Sequence, residues 1–214
     1  ALTDYREMVA LEEVDLVSIA LRVDMHHPMT MAALEAGKPV ICEWPLAVSS
    51  QEAQEMYDLA RQKSLGHAVV LQEHTSPVVM YLRELVSQVY IGQPWAVSMT
   101  YFRDSALIQN TSRNAYLREP SGGGSALAIA TGHALDALLH GFGELDSLCA
   151  DVDTLQKEVN LSDTGELARV ETPDNVAFVG RFRNGAMVTA QVSWTARPAL
   201  GWRVFAYGTE GCIV

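Results

Sequence analysis

Apolar residues recur along the first third of the chain in two alternating rhythms. DLVSIAL (Asp15–Leu21), PVICE (Pro39–Glu43) and HAVVLQ (His67–Gln72) are short, nearly continuous apolar runs. Runs of that kind mark parallel strands covered on both faces. Around them the apolar spacing widens to three and four. This happens over Asp4–Glu13, over His26–Ala36 with Pro28 in its first turn and Gly37 past its end, and from Ser49 to about Lys63. These windows predict helices. Ser49 and Glu52 form a capping box at the start of the third. Strand, helix, strand, helix, strand with short links predicts right-handed βαβ units in a parallel sheet.

After Ser76-Pro77 the rhythm changes. Val79, Leu82, Leu85, Val86 and Val89 mark an amphipathic helix, and Trp95–Arg103 alternates as a long strand. Ser105–Pro120 is polar and irregular, Asp146–Thr154 reads as a strand, and Leu155–Pro173 reads as an exposed acidic loop. Asn175–Arg183 and Ala186–Thr195 are two β-runs around Asn184-Gly185, a strong hairpin signal. Gly201–Tyr207 and Cys212–Val214 follow as strands joined by the GTEG turn. The predicted fold is thus α/β followed by α+β. A Rossmann-like parallel sheet, incomplete at its front, spans 1–72, and a mainly antiparallel open-sheet unit spans 73–214, with the boundary near Glu73.

Within the second unit, SGGGSALAIATGHALDALLHGFGE (Ser121–Glu144) is led by three glycines and is small or apolar on every side. It predicts a buried helix. His133 and Asp136 are the strongly polar side chains in its middle, and they share a face at i, i+3. A buried helix rarely carries two titratable groups idly, although many buried histidines only bond a backbone carbonyl. His140 falls near the helix end, where an imidazole suits the helix dipole.

Bulk composition narrows the setting. A length of 214 residues allows one large or two small domains, and 49% hydrophobic with 19% charged residues describes a soluble globular chain. No apolar run reaches membrane-spanning length, and no signal-peptide pattern opens the chain. The net charge of −11 argues against nucleic acid and anionic membranes as partners. Cys42, Cys149 and Cys212 are widely spaced, without a CxxC pair, which fits a reducing, cytoplasmic setting and no zinc site.

Several segments then resemble one family. AALEAGKPVICEWPLAVSSQEAQEM is similar to the AGKxVxCEKPxA segment of the glucose-fructose oxidoreductase, inositol dehydrogenase and MocA superfamily. Gly122–Asp136 resembles its GGG…H..D segment, and NVAFVGRFRNGAMVTAQVSWTA and WRVFAYGTEG resemble its C-terminal hairpin and following turn. EWP in place of EKP, and QEHTSP at Gln72–Pro77, look closest to the fungal branch that includes the galactose-regulon repressor. The resemblance implies a dinucleotide-binding domain, an open-sheet domain and an active site between them. His133 matches the family's catalytic histidine, and Asp136 the aspartate three residues on.

The chain departs from the family pattern at several points. No GxGxxG precedes the Asp15 strand, so no turn is aimed at a pyrophosphate. Trp44 replaces the lysine of EKP, and indole cannot hold or pass a proton. Ile129 replaces a family aspartate four residues before His133, and Val23 the asparagine of its TPN turn. His26 matches a family histidine and reads here as an ordinary helix-start residue. The chain also reads as trimmed at both ends. That leaves the Asp15–Leu21 edge bare, a hazard relieved by a homodimer, a higher homo-oligomer or cover from the Asp4–Glu13 helix.

These departures favour an oxidoreductase-like protein without a cofactor: no NAD or NADP unless a longer protein supplies the glycine-rich turn. It would act on a small organic substrate as an isomerase, lyase or cyclase. His133 would be the acid–base group oriented by Asp136, and Trp44, His74, Tyr101, Tyr116 and Arg118 would line the substrate pocket. Two alternatives stand beside this: a fragment of an NAD(P)-dependent oxidoreductase, and a non-catalytic binding or regulatory protein.

Overall fold

Two separate apolar sets divide the protein, whose computed structural model describes residues 2–104 and 110–214. In the first, β1 (Val17–Ile19), β2 (Val40–Glu43) and β3 (His67–Val70) pair in parallel in the order β1-β2-β3. Helices α1 (Tyr5–Val9), α2 (Val23–Glu35) and α3 (Ser50–Gln62) accompany them. Val17, Ile19, Leu34, Val40, Cys42 and Met56 form the shared core. The box at α3 closes in a shifted form. Ser49 Oγ accepts from the Glu52 amide at 3.2 Å, while Glu52 Oε2 accepts from Val48, one residue before the cap.

Three elements of this half differ from the sequence expectation. β1 keeps three residues of the seven expected, because only Val17–Ile19 meets β2 in register. α1 is a five-residue helix. α2 starts earlier, at Val23, so Pro28 lies inside it and forgoes the amide bond to the Asp24 carbonyl.

The second set belongs to a mixed sheet. Its strands are β4 (Pro94–Phe102), β5 (Leu145–Asp153), β8 (Asn175–Phe182), β9 (Met187–Ser193), β10 (Gly201–Gly208) and β11 (Cys212–Ile213). Their order is β11-β10-β4-β9-β8-β5, antiparallel except between β4 and β9. The Asn184-Gly185 signal makes the β8–β9 hairpin, with Gly185 at φ +92° and Asn184 Oδ1 accepting from the Ala186 amide. Leu155–Pro173 is more than a loop. β6 (Glu158–Asn160) and β7 (Leu167–Arg169) pair there over a small cluster of Val159, Leu161 and Val170. Charged residues on the outward positions hid that two-residue alternation.

Helix α4 (Pro77–Ser87) and helix α5 (Gly132–Phe142) cover one face of the large sheet, over a core that includes Leu82, Met99, Leu138, Phe178 and Phe182. The glycine-led stretch is not one helix buried all round. A 3₁₀ turn (Pro120–Gly122) and a π-helical stretch (Ala126–Thr131) precede α5. On α5 itself Ala134, Ala137, Leu138, Gly141 and Phe142 are buried, while His133, Asp136 and His140 are half-buried. Of the irregular Ser105–Pro120 stretch, positions 105–109 lie outside the described residues, and Ser112–Leu117 forms 3₁₀ turns.

Candidate functional site

The carboxyl ends of the three parallel strands all lead to the glycine-led stretch and α5. Beyond β1, His26 is 1% exposed, with Nδ1 2.8 Å from the Pro45 carbonyl and Nε2 3.1 Å from that of Leu21. It is therefore a buried strut between the first two strand ends rather than an ordinary helix-start residue. Beyond β2, the Trp44 indole N–H donates to the Ala128 carbonyl at 2.8 Å, and its ring lies against Gly132. A Cβ at Gly132 would overlap indole Nε1. Beyond β3, a 3₁₀ turn (Gln72–Thr75) brings His74 Nε2 to Asp136 Oδ1, at 2.8 Å. The glycine turn closes the other side. At Gly123 (φ +71°) a Cβ would stand 2.7 Å from Val48 and 2.9 Å from Val23.

A polar stripe runs down α5 at His133, Asp136 and His140. His133 Nδ1 and Asp136 Oδ2 are buried and meet no hydrogen-bond partner among the described residues. Asp136 takes its hydrogen bond from His74 and not from His133, because the 72–75 turn reaches over the helix. His74 stacks on His140 with ring centroids 4.3 Å apart, and Arg83 Nη1 donates to His140 Nε2 at 3.2 Å. His140 thus answers to a side chain on α4 and not to the carbonyls of its own helix end. Burial first, then the positive charges of His74 and Arg83, hold its imidazole below the ordinary histidine value, against an upward pull from Asp136.

The other sequence candidates part company. Trp44, His74, His133 and Asp136 come together along α5. Tyr116 sits at the glycine turn, its ring 3.3 Å from where a Gly124 Cβ would be, with the Arg22 guanidinium 5.7 Å from the ring centroid. Tyr101 lies on β4 between Trp202 and Val192 and packs against the sheet core. Arg118 is 5% exposed, and its Nη1 donates to the Thr111 carbonyl at 2.9 Å. It is a buried brace of its own segment. Among the described residues no group of three or more His, Cys, Asp or Glu is placed to hold a metal ion. Also among them, no helix is long and apolar enough to cross a membrane. Sequence reasoning missed Arg83, which is one polar residue on an amphipathic helix with no local signal.

Comparisons with known proteins bear on this geometry. The family model for the GFO/IDH/MocA C-terminal domain matches residues 79–214, and that for the oxidoreductase family, NAD-binding Rossmann fold, matches residues 1–71. Levoglucosan dehydrogenase of Pseudarthrobacter phenanthrenivorans is 28% identical over 99% of this chain and 58% of its own length. A solved structure of levoglucosan dehydrogenase in complex with NADH and L-sorbose superposes with a TM-score of 0.87 at 27% identity, over 99% of this chain and 57% of that one. The galactose/lactose metabolism regulatory protein GAL80 of Saccharomyces cerevisiae is 23% identical over 80% of this chain and 42% of its own. The chain thus spans about half the length of the relatives it matches. These matches overturn the expectation of a protein without a nicotinamide cofactor. The NAD-binding model covers the β1–β3 unit, and the fold superposes on NADH complexes. The missing GxGxxG was too narrow a test, since the NAD-binding family model matches residues 1–71 without it.

Proposed function

The chain belongs to the Gfo/Idh/MocA oxidoreductase family, and on that footing we propose that it forms the nicotinamide-side and substrate-side walls of an NAD(P)-dependent oxidoreductase. Its substrate class is a small sugar-like molecule with a reactive hydroxyl or carbonyl. The names of the similar dehydrogenase and of its complex, levoglucosan and L-sorbose, support that class. The carrying observation is the convergence on one helix and its lead-in: the loops after β2 and β3 place Trp44 and His74 on α5, beside His133. Open parallel sheets bind ligands off their carboxyl edges, and this is that edge.

The residues present fit the nicotinamide end of a dinucleotide. His133 Nδ1 and Asp136 Oδ2 are orphaned buried polar atoms there, and Gly132 leaves the indole of Trp44 as a flat wall. When bound, the nicotinamide supplies two-electron hydride exchange. His133 accepts the substrate hydroxyl proton at Nε2 during oxidation and returns it during reduction. Asp136 fixes the 72–75 turn over the helix through His74. Trp44 has no lone pair to accept a proton, so it shapes the site and excludes water.

Titration of the 214-residue chain with NADH and NADPH tests this. The expected result is weak, saturable quenching that disappears in Trp44→Phe. Quenching that is absent, or equal in the variant, overturns the reading. In a protein that turns over, His133→Gln is expected to lower turnover by roughly 10²- to 10⁴-fold. Trp44, standing where the resemblance places a lysine, favours a second, regulatory reading. Nucleotide binding with no turnover on any sugar tried would decide for it. We also propose that the protein divides into two units near Glu73 and associates with a second copy. The exposed Trp95, Leu148, Val179 and Met187 on the large sheet support the association, and a monomer in sedimentation equilibrium would remove it.

A further inference from the structure

A groove of about 650 Å³ runs between α4 and the C-terminal half of α5, lined by His74, Met80, Tyr81, Arg83, Glu84 and His140 among others. Its charge is unusual for a chain with 26 acidic and 15 basic residues. Among the described residues Arg83 pairs with no carboxylate. Its Nη1 donates instead to His140 Nε2. A guanidinium only donates, so that nitrogen is an acceptor and the ring proton sits on Nδ1. The two acids nearby are engaged elsewhere. Asp136 Oδ1 holds His74 while Oδ2 is buried, and Glu84 Oε1 accepts from Gln88 along its own helix at 3.0 Å. What the groove offers an anion is therefore the rest of the Arg83 fork and an imidazole N–H, beside a Glu84 carboxylate already hydrogen-bonded along its own helix.

We propose that this groove is an oxyanion site. A ligand carrying one carboxylate or phosphoryl group docks its oxygens on the Arg83 guanidinium and the His140 Nδ1–H, with Met80 and Tyr81 taking its apolar remainder. Both are more than half exposed, at 54% and 60%. Arginine suits this role because its planar fork meets two oxygens at once. A bound oxyanion also offsets the charges of His74 and Arg83 that hold His140 down, so binding draws a proton onto His140 Nε2, and Arg83 Nη1 gives up that nitrogen for the bound oxygens.

The test follows the His140 Cε1–H resonance in the 214-residue chain near pH 6.5. Inorganic phosphate or acetate is added at constant ionic strength set by chloride. The expected result is a saturable shift toward the imidazolium position. Its apparent affinity should fall about 10-fold in Arg83→Gln and by less in Arg83→Lys. A response to phosphate alone supports a phosphoryl ligand, one to acetate alone a carboxylate ligand, and one to both the shared site. A drift that chloride reproduces, or equal affinity in Arg83→Gln, overturns the proposal. Arg83 and His140 take no part in the cleft chemistry proposed above, so this titration and the nucleotide titration succeed or fail separately.

Discussion

Gly132→Ala isolates the contact on which the cleft wall depends. Trp44 lies so close to Gly132 that an added Cβ would overlap indole Nε1 and stand 2.8 Å from Cε2. Both neighbours are parts of one rigid ring, so the indole must swing away and lose its hydrogen bond to Ala128. Three effects compete. Alanine gains about 1 kcal/mol of helix propensity over glycine. The lost hydrogen bond costs about 1 kcal/mol. Overpacking against a rigid ring costs about 1–3 kcal/mol. The net loss is about 1–3 kcal/mol, and a 2 kcal/mol loss lowers the melting temperature by about 4–8 °C in a chain of this size. Thermal unfolding by circular dichroism reads the shift, and a cycle with Trp44→Phe assigns it. In the phenylalanine background, with no indole ring to meet, the alanine should be neutral or stabilising. A higher melting temperature for Gly132→Ala in the unmodified protein would refute the reasoning. It would show that propensity wins and that the indole contact carries no energy.

Three further predictions rest on other parts of the fold. Cys42 is 1% exposed, and burial pushes its thiol up to about 11, whereas Cys149 and Cys212 are exposed. A thiol reagent at pH 8 should therefore titrate two cysteines in the folded protein and a third only after denaturation. His140 binds its proton less readily in the folded than in the unfolded chain, where its value is near 6.5. Its contribution is intact above that pH and is lost as pH falls through it, so melting temperatures measured from pH 8 to pH 5 should fall less in His140→Gln than in the parent. Asp174 is fully buried and accepts from the Leu155 and Gln156 amides and from Asn175 Nδ2 at 2.7, 2.8 and 2.9 Å. Asp174→Ala should cost roughly 3–5 kcal/mol in urea unfolding, with Asp174→Asn recovering part of it.

Elements whose burial repeats locally were legible in the sequence. The parallel strands announce themselves as short apolar runs, yet the expectation of two covered faces fails: burial alternates along β1 and β2, and His67, Ala68 and Val69 of β3 are exposed. The β8–β9 hairpin is fixed by Asn184-Gly185, a signal contained within its own turn. The β6–β7 pair escaped because its core is three residues and its outward positions carry charge. α5 was misjudged for a related reason. Alanine and glycine score as apolar on every side, yet a small residue tells only that something comes close, not from which direction. Here the large sheet closes over one face and the first unit only grazes the other.

The site was legible as a list of residues and illegible as an arrangement. His133 and Asp136 share a helix face by spacing alone, and from that spacing Asp136 is the natural partner of His133. The distance along the chain conceals the competitor, since His74 reaches Asp136 from 62 residues away. Trp44 and Ala128 are joined across 84 residues. The substitution of lysine by Trp44 marks the loss of an amine, but the sequence is silent on what the indole does instead. The structure supplies that. Gly132 makes room for the ring, the Ala128 carbonyl takes its N–H, and the π-helical turn between them presents both on one side. A bulky, non-titrating group has thus been built into the wall with its own support, so the acid–base work we propose for this edge falls to imidazole. In the proposed reading that leaves His133 as the proton carrier on α5. It also makes Gly132→Ala informative, because the added Cβ meets the indole and brings no titratable group to the cleft.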